Sequence, residues 1–206
     1  MVIARKIAYN VFVSSISKIL STILALVAIG MVTRYLGKEG FGSYATALAF
    51  LSFFAAIADL GLNSASTREI SRPGADEKKI MGNIFLLRIA VSLLVFAISP
   101  IIIWFFPYPS EVKWAIMIVS ASFVFSSCYQ ILNGVFQKNL AMDKVAFSEL
   151  AGKILQVLII YLAIRWRLSF TWIMSSLFFY MVLSFIMVYF WSKKYLIFKI
   201  KFDWKS

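Results

Sequence analysis

The sequence predicts an all-α integral membrane protein, folded as a six-helix bundle. Of its 206 residues, 62% are hydrophobic and only 15% are charged, and the mean hydropathy is +0.87. These values exclude a water-soluble domain, whose surface must be largely polar. The apolar residues gather in segments of about twenty or more, and a helix of that length crosses a hydrocarbon core of about 30 Å.

Six apolar segments alternate with shorter polar links. The approximate spans are 7–33, 41–66, 80–106, 114–137, 145–164 and 168–191. The second span is the best marked, because a turn with Gly37, Gly40 and Gly42 precedes it and a polar segment with four cations follows it. The turn is so short that the first two spans should form a tight hairpin. We therefore expect one transmembrane bundle over residues 1–192 and a basic cytoplasmic tail over 193–206.

The cations of the links and termini are distributed unequally between the two sides of the membrane. If the N-terminus is cytoplasmic, thirteen of them lie inside and five lie outside. The five outer cations are Arg34, Lys38, Lys113, Arg165 and Arg167. The positive-inside rule then predicts a multi-pass protein of the cell membrane with both termini in the cytoplasm. This distribution also explains the net charge of +12 without a nucleic-acid partner, because a nucleic-acid-binding domain needs a polar, solvated body.

The sequence offers little for catalysis. There is no histidine, and the single Cys128 lies inside an apolar run, so neither a disulfide framework nor a zinc-ligand cluster is expected. Asp76 and Glu77 are adjacent, but their ordinary explanation is a solvated charge cluster. We expect a transporter rather than an enzyme, with no cofactor.

Polar residues recur on one face of several spans. In the first span they follow one another in steps of three or four from Asn10 to Ser21, which places them on one side of a helix and away from lipid. The candidate residues for the polar lining of a cavity are Asn10, Ser14, Gln130, Asn133 and Gln156. For the small residues alone, close helix packing is the simpler interpretation.

Five charged side chains lie at membrane depth: the cations Lys18, Arg88 and Lys153, and the acids Asp59 and Glu149. Each cation costs at least about 2.5 kcal/mol at a helix centre unless it meets water or a counter-charge. The surplus of cations favours a cavity for an anionic headgroup such as a phosphate or diphosphate. Three alternatives stay open: Glu149 pairs with Lys153 one turn away, Lys18 snorkels to the interface, or Asp59 serves as a structural ion-pair partner.

The turn RYLGKEGFGSYA, followed by a span that ends in DLGLNSASTREISR, resembles the N-terminal signature of polysaccharide-type flippases of the multidrug/oligosaccharidyl-lipid/polysaccharide (MOP) superfamily. The polar start of the first span is similar too. The resemblance covers roughly residues 7–82 in motif and the whole chain in hydropathy. It implies a protein that moves polyprenyl-diphosphate-linked oligosaccharides across the membrane by alternating access. It also implies cavity cations, for which Lys18, Arg88 and Lys153 are the candidates, whereas Asp59 and Arg68 match the motif with a structural role.

The resemblance has a consequence for the partners of this chain. Such flippases have about twelve or more helices in two bundles, which resemble a parallel repeat. The ending FKIKFDWKS resembles the connector between the bundles, so we expect a second six-helix lobe or a homodimer partner, besides the lipid-linked oligosaccharide and membrane lipids. One alternative is an ion-coupled multidrug exporter of the same superfamily, in which Asp59 would bind the cation or proton. Another is a remnant that does not transport.

Overall fold

The computed structural model describes residues 2–59 and 77–195, and every regular element in these ranges is an α-helix. The five helices are α1 (Val2–Asp59), α2 (Glu77–Trp104), α3 (Ser110–Lys138), α4 (Met142–Arg165) and α5 (Phe170–Ser192). All five are long and apolar enough to cross a membrane. The chain is a multi-pass membrane protein.

The first two predicted spans lie in one helix, α1. Only Gly37 departs from helical geometry, with φ 66° and ψ −169°, a combination that glycine alone adopts readily. The predicted link over 34–40 is therefore a break of a single residue, and the prediction of six separate helices is not confirmed, since the described residues form five. We call residues 2–36 the first limb of α1 and residues 38–59 the second limb.

The first limb lies beside α4 and runs in the same direction. Near its start, Asn10 Nδ2 donates to the Leu140 carbonyl at 2.7 Å, just before α4 begins. Near its end, the Tyr35 hydroxyl donates to the Leu168 carbonyl at 3.1 Å, just after α4 ends. Positions along the first limb and along α4 are therefore at matching depths.

The second limb runs back toward the end from which the first limb started. Phe54, late in this limb, packs with Phe123 in the middle of α3. In a straight helix, residues 10 and 54 would lie about 66 Å apart. Asn10 contacts Leu140 and Phe54 packs with Phe123, and Leu140 and Phe123 are separated by only about 25 Å of helix rise. The chain therefore reverses direction at Gly37, as the glycine-rich turn predicts.

Helix α3 lies at the centre of the bundle. In its most apolar stretch α3 buries 61% of its residues, whereas α1 buries only 11%. It packs against both α2 and α5, which do not pack extensively against each other in the described ranges. A buried hydrogen bond of 2.6 Å between the hydroxyls of Ser99 and Ser120 joins α2 to α3. In lipid such bonds matter, because hydrocarbon offers no other partner to a buried hydroxyl.

Two apolar clusters fill opposite ends of the bundle. The cluster nearer Gly37 includes Val32, Ala47, Ile103, Ala115, Ile116, Ile160, Ile173 and Met174. The cluster at the other end consists of Tyr129, Leu132, Phe136, Ala141, Val145 and Val188. Between Val145 and Ile160, α4 carries polar residues instead. The sequence therefore places a polar layer midway between two apolar ones.

Lysine ammonium groups make cation–π contacts with tryptophan rings at both ends of the bundle. Lys113 Nζ lies 5.3 Å from the ring centroid of Trp104, at the link between α2 and α3. At the opposite end, Lys144 Nζ lies 5.8 Å from the Trp191 ring. Cation–π pairs of this kind suit the interfaces of a bilayer, where a ring rests on hydrocarbon and an ammonium group reaches the headgroups.

Candidate functional site

Polar side chains from four helices meet in the layer between the two apolar clusters. We call this group the polar belt and define it as Ser14, Lys18, Tyr129, Asn133, Ser148, Glu149, Lys153, Gln156, Tyr180 and Ser184. On α4 the polar positions recur every three or four residues and therefore share one face. Because the first limb runs parallel to α4, Lys18 reaches the same depth as Glu149.

An ion pair joins α1 to α4 in the belt. Lys18 Nζ lies 3.8 Å from Glu149 Oε1, and the two side chains are 73% and 27% exposed. This separation is longer than that of a direct charge-assisted hydrogen bond, about 2.7–2.9 Å, so the ammonium group retains donors for another acceptor. A charge this exposed within an apolar segment faces water, a polar ligand or a partner protein, or its side chain snorkels to the interface, since hydrocarbon would penalise it.

Lys153 is held more firmly than Lys18. Its Nζ donates to Gln156 Oε1 at 3.0 Å and lies 4.3 Å from the ring centroid of Tyr180. Lys153 is also attracted by the Glu149 carboxylate and repelled by Lys18. The ion pair of Glu149 is made with Lys18, whereas Lys153, the partner in one of the alternatives from sequence, donates to Gln156 and is attracted by Glu149 from a longer distance. Two ammonium groups and one carboxylate give this part of the belt a net positive charge.

The belt also contains polar atoms that can accept a further ligand or water. The Tyr129 hydroxyl lies near Ser148, Glu149 and Asn133. Tyr129 Oη, Asn133 Oδ1 and Ser14 Oγ are all buried and make no hydrogen bond of ordinary geometry to the described residues. Buried polar atoms of this kind are normally satisfied by protein or water, so the belt has capacity for polar occupants.

A close approach of α4 and α5 sets the position of the Tyr180 ring. A Cβ atom added to Gly152 would lie 2.6 Å from Tyr180 Cδ2 and 3.0 Å from the Tyr180 carbonyl oxygen, and it would collide with Ser184 Oγ. One turn earlier, Ser184 Oγ donates to the Ser148 carbonyl at 3.2 Å. The absence of a side chain at Gly152 lets the aromatic ring reach Lys153 on the next position of α4.

Arg88 lies at a different interface. It is 3% exposed, belongs to α2 and lies near Cys128 on α3. Cys128 and Lys153 each lie about ten residues from the link between α3 and α4, so the two cations have similar depths. The structure groups Lys18 with Lys153 through Glu149 and places Arg88 between α2 and α3.

The remaining predicted site residues have other positions. Asn10 is 7% exposed; its amide nitrogen donates to Leu140 in the link before α4, and its amide oxygen accepts from the Asp143 amide in the first turn of α4. Gln130 is half-buried on α3 and makes polar contacts of its own. Arg68 and the side chain of Asp59 lie outside the described residues. The roles predicted for these residues stay predictions.

The sequence analysis missed the contribution of α5. Tyr180 and Ser184 belong to the polar belt, although they lie in a strongly apolar predicted span. A signal for them exists, since Ser176, Tyr180 and Ser184 follow one another every four residues and all three are buried. The same spacing argument that grouped the polar residues of the first span would have found this face.

The comparison with known proteins adds a family to this geometry. Neither the curated proteins nor the solved structures contain a match to the chain. The model of a family described as "Polysaccharide biosynthesis protein" matches residues 7–205, which include the whole polar belt. This match confirms the resemblance carried by the glycine-rich turn and the DLGL stretch. The chain belongs to the polysaccharide biosynthesis protein family.

Proposed function

We propose that this chain is one lobe of a flippase that moves polyprenyl-diphosphate-linked oligosaccharides across the cell membrane during polysaccharide assembly. The family and the membrane-spanning helices favour a transporter over an enzyme. The observation that carries the proposal is the charge of the polar belt, where Glu149 forms an ion pair with Lys18 while Lys153, one turn away on α4, donates to Gln156 instead.

The chemistry of the belt suits a diphosphate. Each ammonium group has three donors and no acceptor, and its charge attracts phosphate oxygens. Gln156 and Tyr129 add polar groups that can meet sugar hydroxyls nearby. The polyprenyl tail stays in the surrounding hydrocarbon. We assign Arg88 a supporting role as a third cation at similar depth.

The exposure of Lys18 fits a protein that works with a second lobe. A lysine side chain that is 73% exposed on this bundle would line a cavity if another bundle faced it. The second lobe is another six-helix segment or a second copy of this chain. Rocking of one lobe against the other would open the cavity to each leaflet in turn. In this arrangement both termini lie in the cytoplasm, as the cation distribution predicts.

The test replaces both belt lysines in the source organism. The chromosomal double variant Lys18→Gln and Lys153→Gln should reduce surface polysaccharide at least about tenfold, because each lost charge weakens phosphate binding in a low-dielectric site. Lipid-linked oligosaccharide should accumulate on the cytoplasmic leaflet. Both quantities are measured by mass spectrometry of cell-surface glycan and of extracted lipids, at matched protein levels.

The matched control is Lys38→Gln, which removes an exposed cation of the same helix outside the belt. This control should leave polysaccharide and lipid intermediates unchanged. Normal polysaccharide and no lipid-linked intermediate in the belt double variant would exclude the proposed function.

A further inference from the structure

Glu149 is the only described acid in the polar belt, and two cationic side chains lie beside it. Lys18 on α1 forms its ion pair at 3.8 Å, and Lys153 lies one turn further along α4. Tyr129 on α3 and Tyr180 on α5 lie nearby. Glu149 therefore occupies the centre of the site that we assign to the diphosphate.

The two lysines differ in how freely they can exchange partners. Lys153 is fixed by Gln156 at 3.0 Å and by the Tyr180 ring at 4.3 Å. Lys18 is 73% exposed, and its described ion pair with Glu149 has a separation of 3.8 Å. Exposed ion pairs are weak, so a competing anion can separate this one.

We propose that Glu149 competes with the transported headgroup for Lys18. The Glu149 carboxylate pairs with Lys18 when the site is empty and is displaced when a diphosphate binds. This inference rests on the proposed function. Lys153 stays in place and receives one part of the diphosphate, while Lys18 exchanges the carboxylate for the other part. When the cavity opens to the far side, the carboxylate returns to Lys18 and promotes release.

The physical reason for such a device is that transport needs release as well as binding. Two ammonium groups without an acid would match the charge of a diphosphate closely and would retain it. A site that moves an ion must bind it strongly enough to admit it and weakly enough to let it leave. A carboxylate within reach of both lysines lowers the affinity and provides a replacement partner when the cargo departs.

The test measures headgroup binding and transport separately. The purified chain is placed in phosphatidylcholine nanodiscs and titrated with farnesyl diphosphate. Separate titrations use farnesol, which has the tail alone, and inorganic pyrophosphate, which has the headgroup alone. Glu149→Gln should bind farnesyl diphosphate roughly three- to tenfold more tightly than the native chain, with no change for farnesol. In cells the same variant should lower surface polysaccharide, since tighter binding slows release. Glu111→Gln is the control, because Glu111 is exposed at the start of α3 and far from the belt.

A double variant shows whether Glu149 acts through Lys18. If it competes for that ammonium group, the gain from Glu149→Gln should disappear in a Lys18→Gln background. Unchanged or weaker binding in Glu149→Gln would overturn the competitor role even if the native chain prefers farnesyl diphosphate to farnesol. If neither the native chain nor Glu149→Gln prefers the diphosphate, the proposed function fails together with the inference.

Discussion

Asn10 and Leu140 join the start of α1 to the link between α3 and α4. Asn10 Nδ2 donates to the Leu140 carbonyl at 2.7 Å, and Asn10 Oδ1 accepts from the Asp143 amide at 3.3 Å. The second bond satisfies an amide in the first turn of α4, whose own N-cap residue, Ala141, has no side chain able to do so. A residue more than a hundred positions away therefore caps the helix that carries the polar belt.

Replacing Asn10 with alanine should destabilise the bundle. The change removes the donor to the Leu140 carbonyl and the acceptor of the Asp143 amide. Leaving these two backbone groups without a partner costs about 1–3 kcal/mol. Thermal unfolding of the purified chain in detergent measures the effect. Ser15→Ala, at an exposed position of the same helix, should change the midpoint little. Equal midpoints for the two variants would contradict the capping role.

Among the glycines that the structure describes, Gly37 has the backbone conformation that should tolerate a side chain least. A Cβ atom at Gly37 would meet no neighbour, but the φ of 66° with ψ of −169° costs other residues about 1–3 kcal/mol. Gly37→Ala should therefore lower the free energy of unfolding by about that amount.

The control for this substitution is Gly42→Ala, five positions further along α1. A Cβ atom added at Gly42 would also meet open space, and the backbone there is helical, so alanine should be neutral or stabilising by up to about 1 kcal/mol. Reversible unfolding in mixed detergent micelles measures both. A Gly37→Ala protein as stable as Gly42→Ala would show that the reversal of α1 does not depend on this glycine.

Gly152→Ala should separate α4 from α5. The added methyl group would lie 2.6 Å from Tyr180 Cδ2 and 3.0 Å from a backbone oxygen, and the backbone cannot move aside as a flexible side chain can. Overpacking of this kind costs about 1–3 kcal/mol. We expect a lower unfolding midpoint together with weaker binding of farnesyl diphosphate, because the shift also displaces Lys153. Gly134→Ala, where nothing lies within 4 Å, should alter neither property.

The ring of Tyr180 should matter to Lys153 more than its hydroxyl does. The ammonium group lies 4.3 Å from the ring centroid, and a partly desolvated cation–π contact contributes about 0.5–2 kcal/mol. Tyr180→Phe keeps the ring face and should retain most of the stability, whereas Tyr180→Leu should lose about that amount. Chemical denaturation of the two variants decides between them. A Phe variant as unstable as the Leu variant would assign the effect to the hydroxyl.

The fold was predictable where its signals are local. Apolar length alone located α2 to α5 within a few residues of their observed ends, because in lipid a backbone must form helices to satisfy its own hydrogen bonds. The glycine-rich turn marked the reversal of α1, but its extent was overestimated, since composition does not reveal that a single residue suffices. The intramembrane charges were identified for the same local reason, as exceptions in apolar runs.

The sequence alone determined that this chain crosses a membrane repeatedly, that cations outnumber acids inside its apolar segments, and which family it resembles. Only the tertiary structure decided which charges meet. Lys18 and Glu149 are 131 positions apart, and their contact depends on the parallel alignment of α1 with α4, which Asn10 and Tyr35 fix at the two ends. Arg88 has the same charge and a similar depth, yet it faces α3. Helical periodicity assigns a residue to a face of its own helix, whereas the packing of the other helices determines what that face touches.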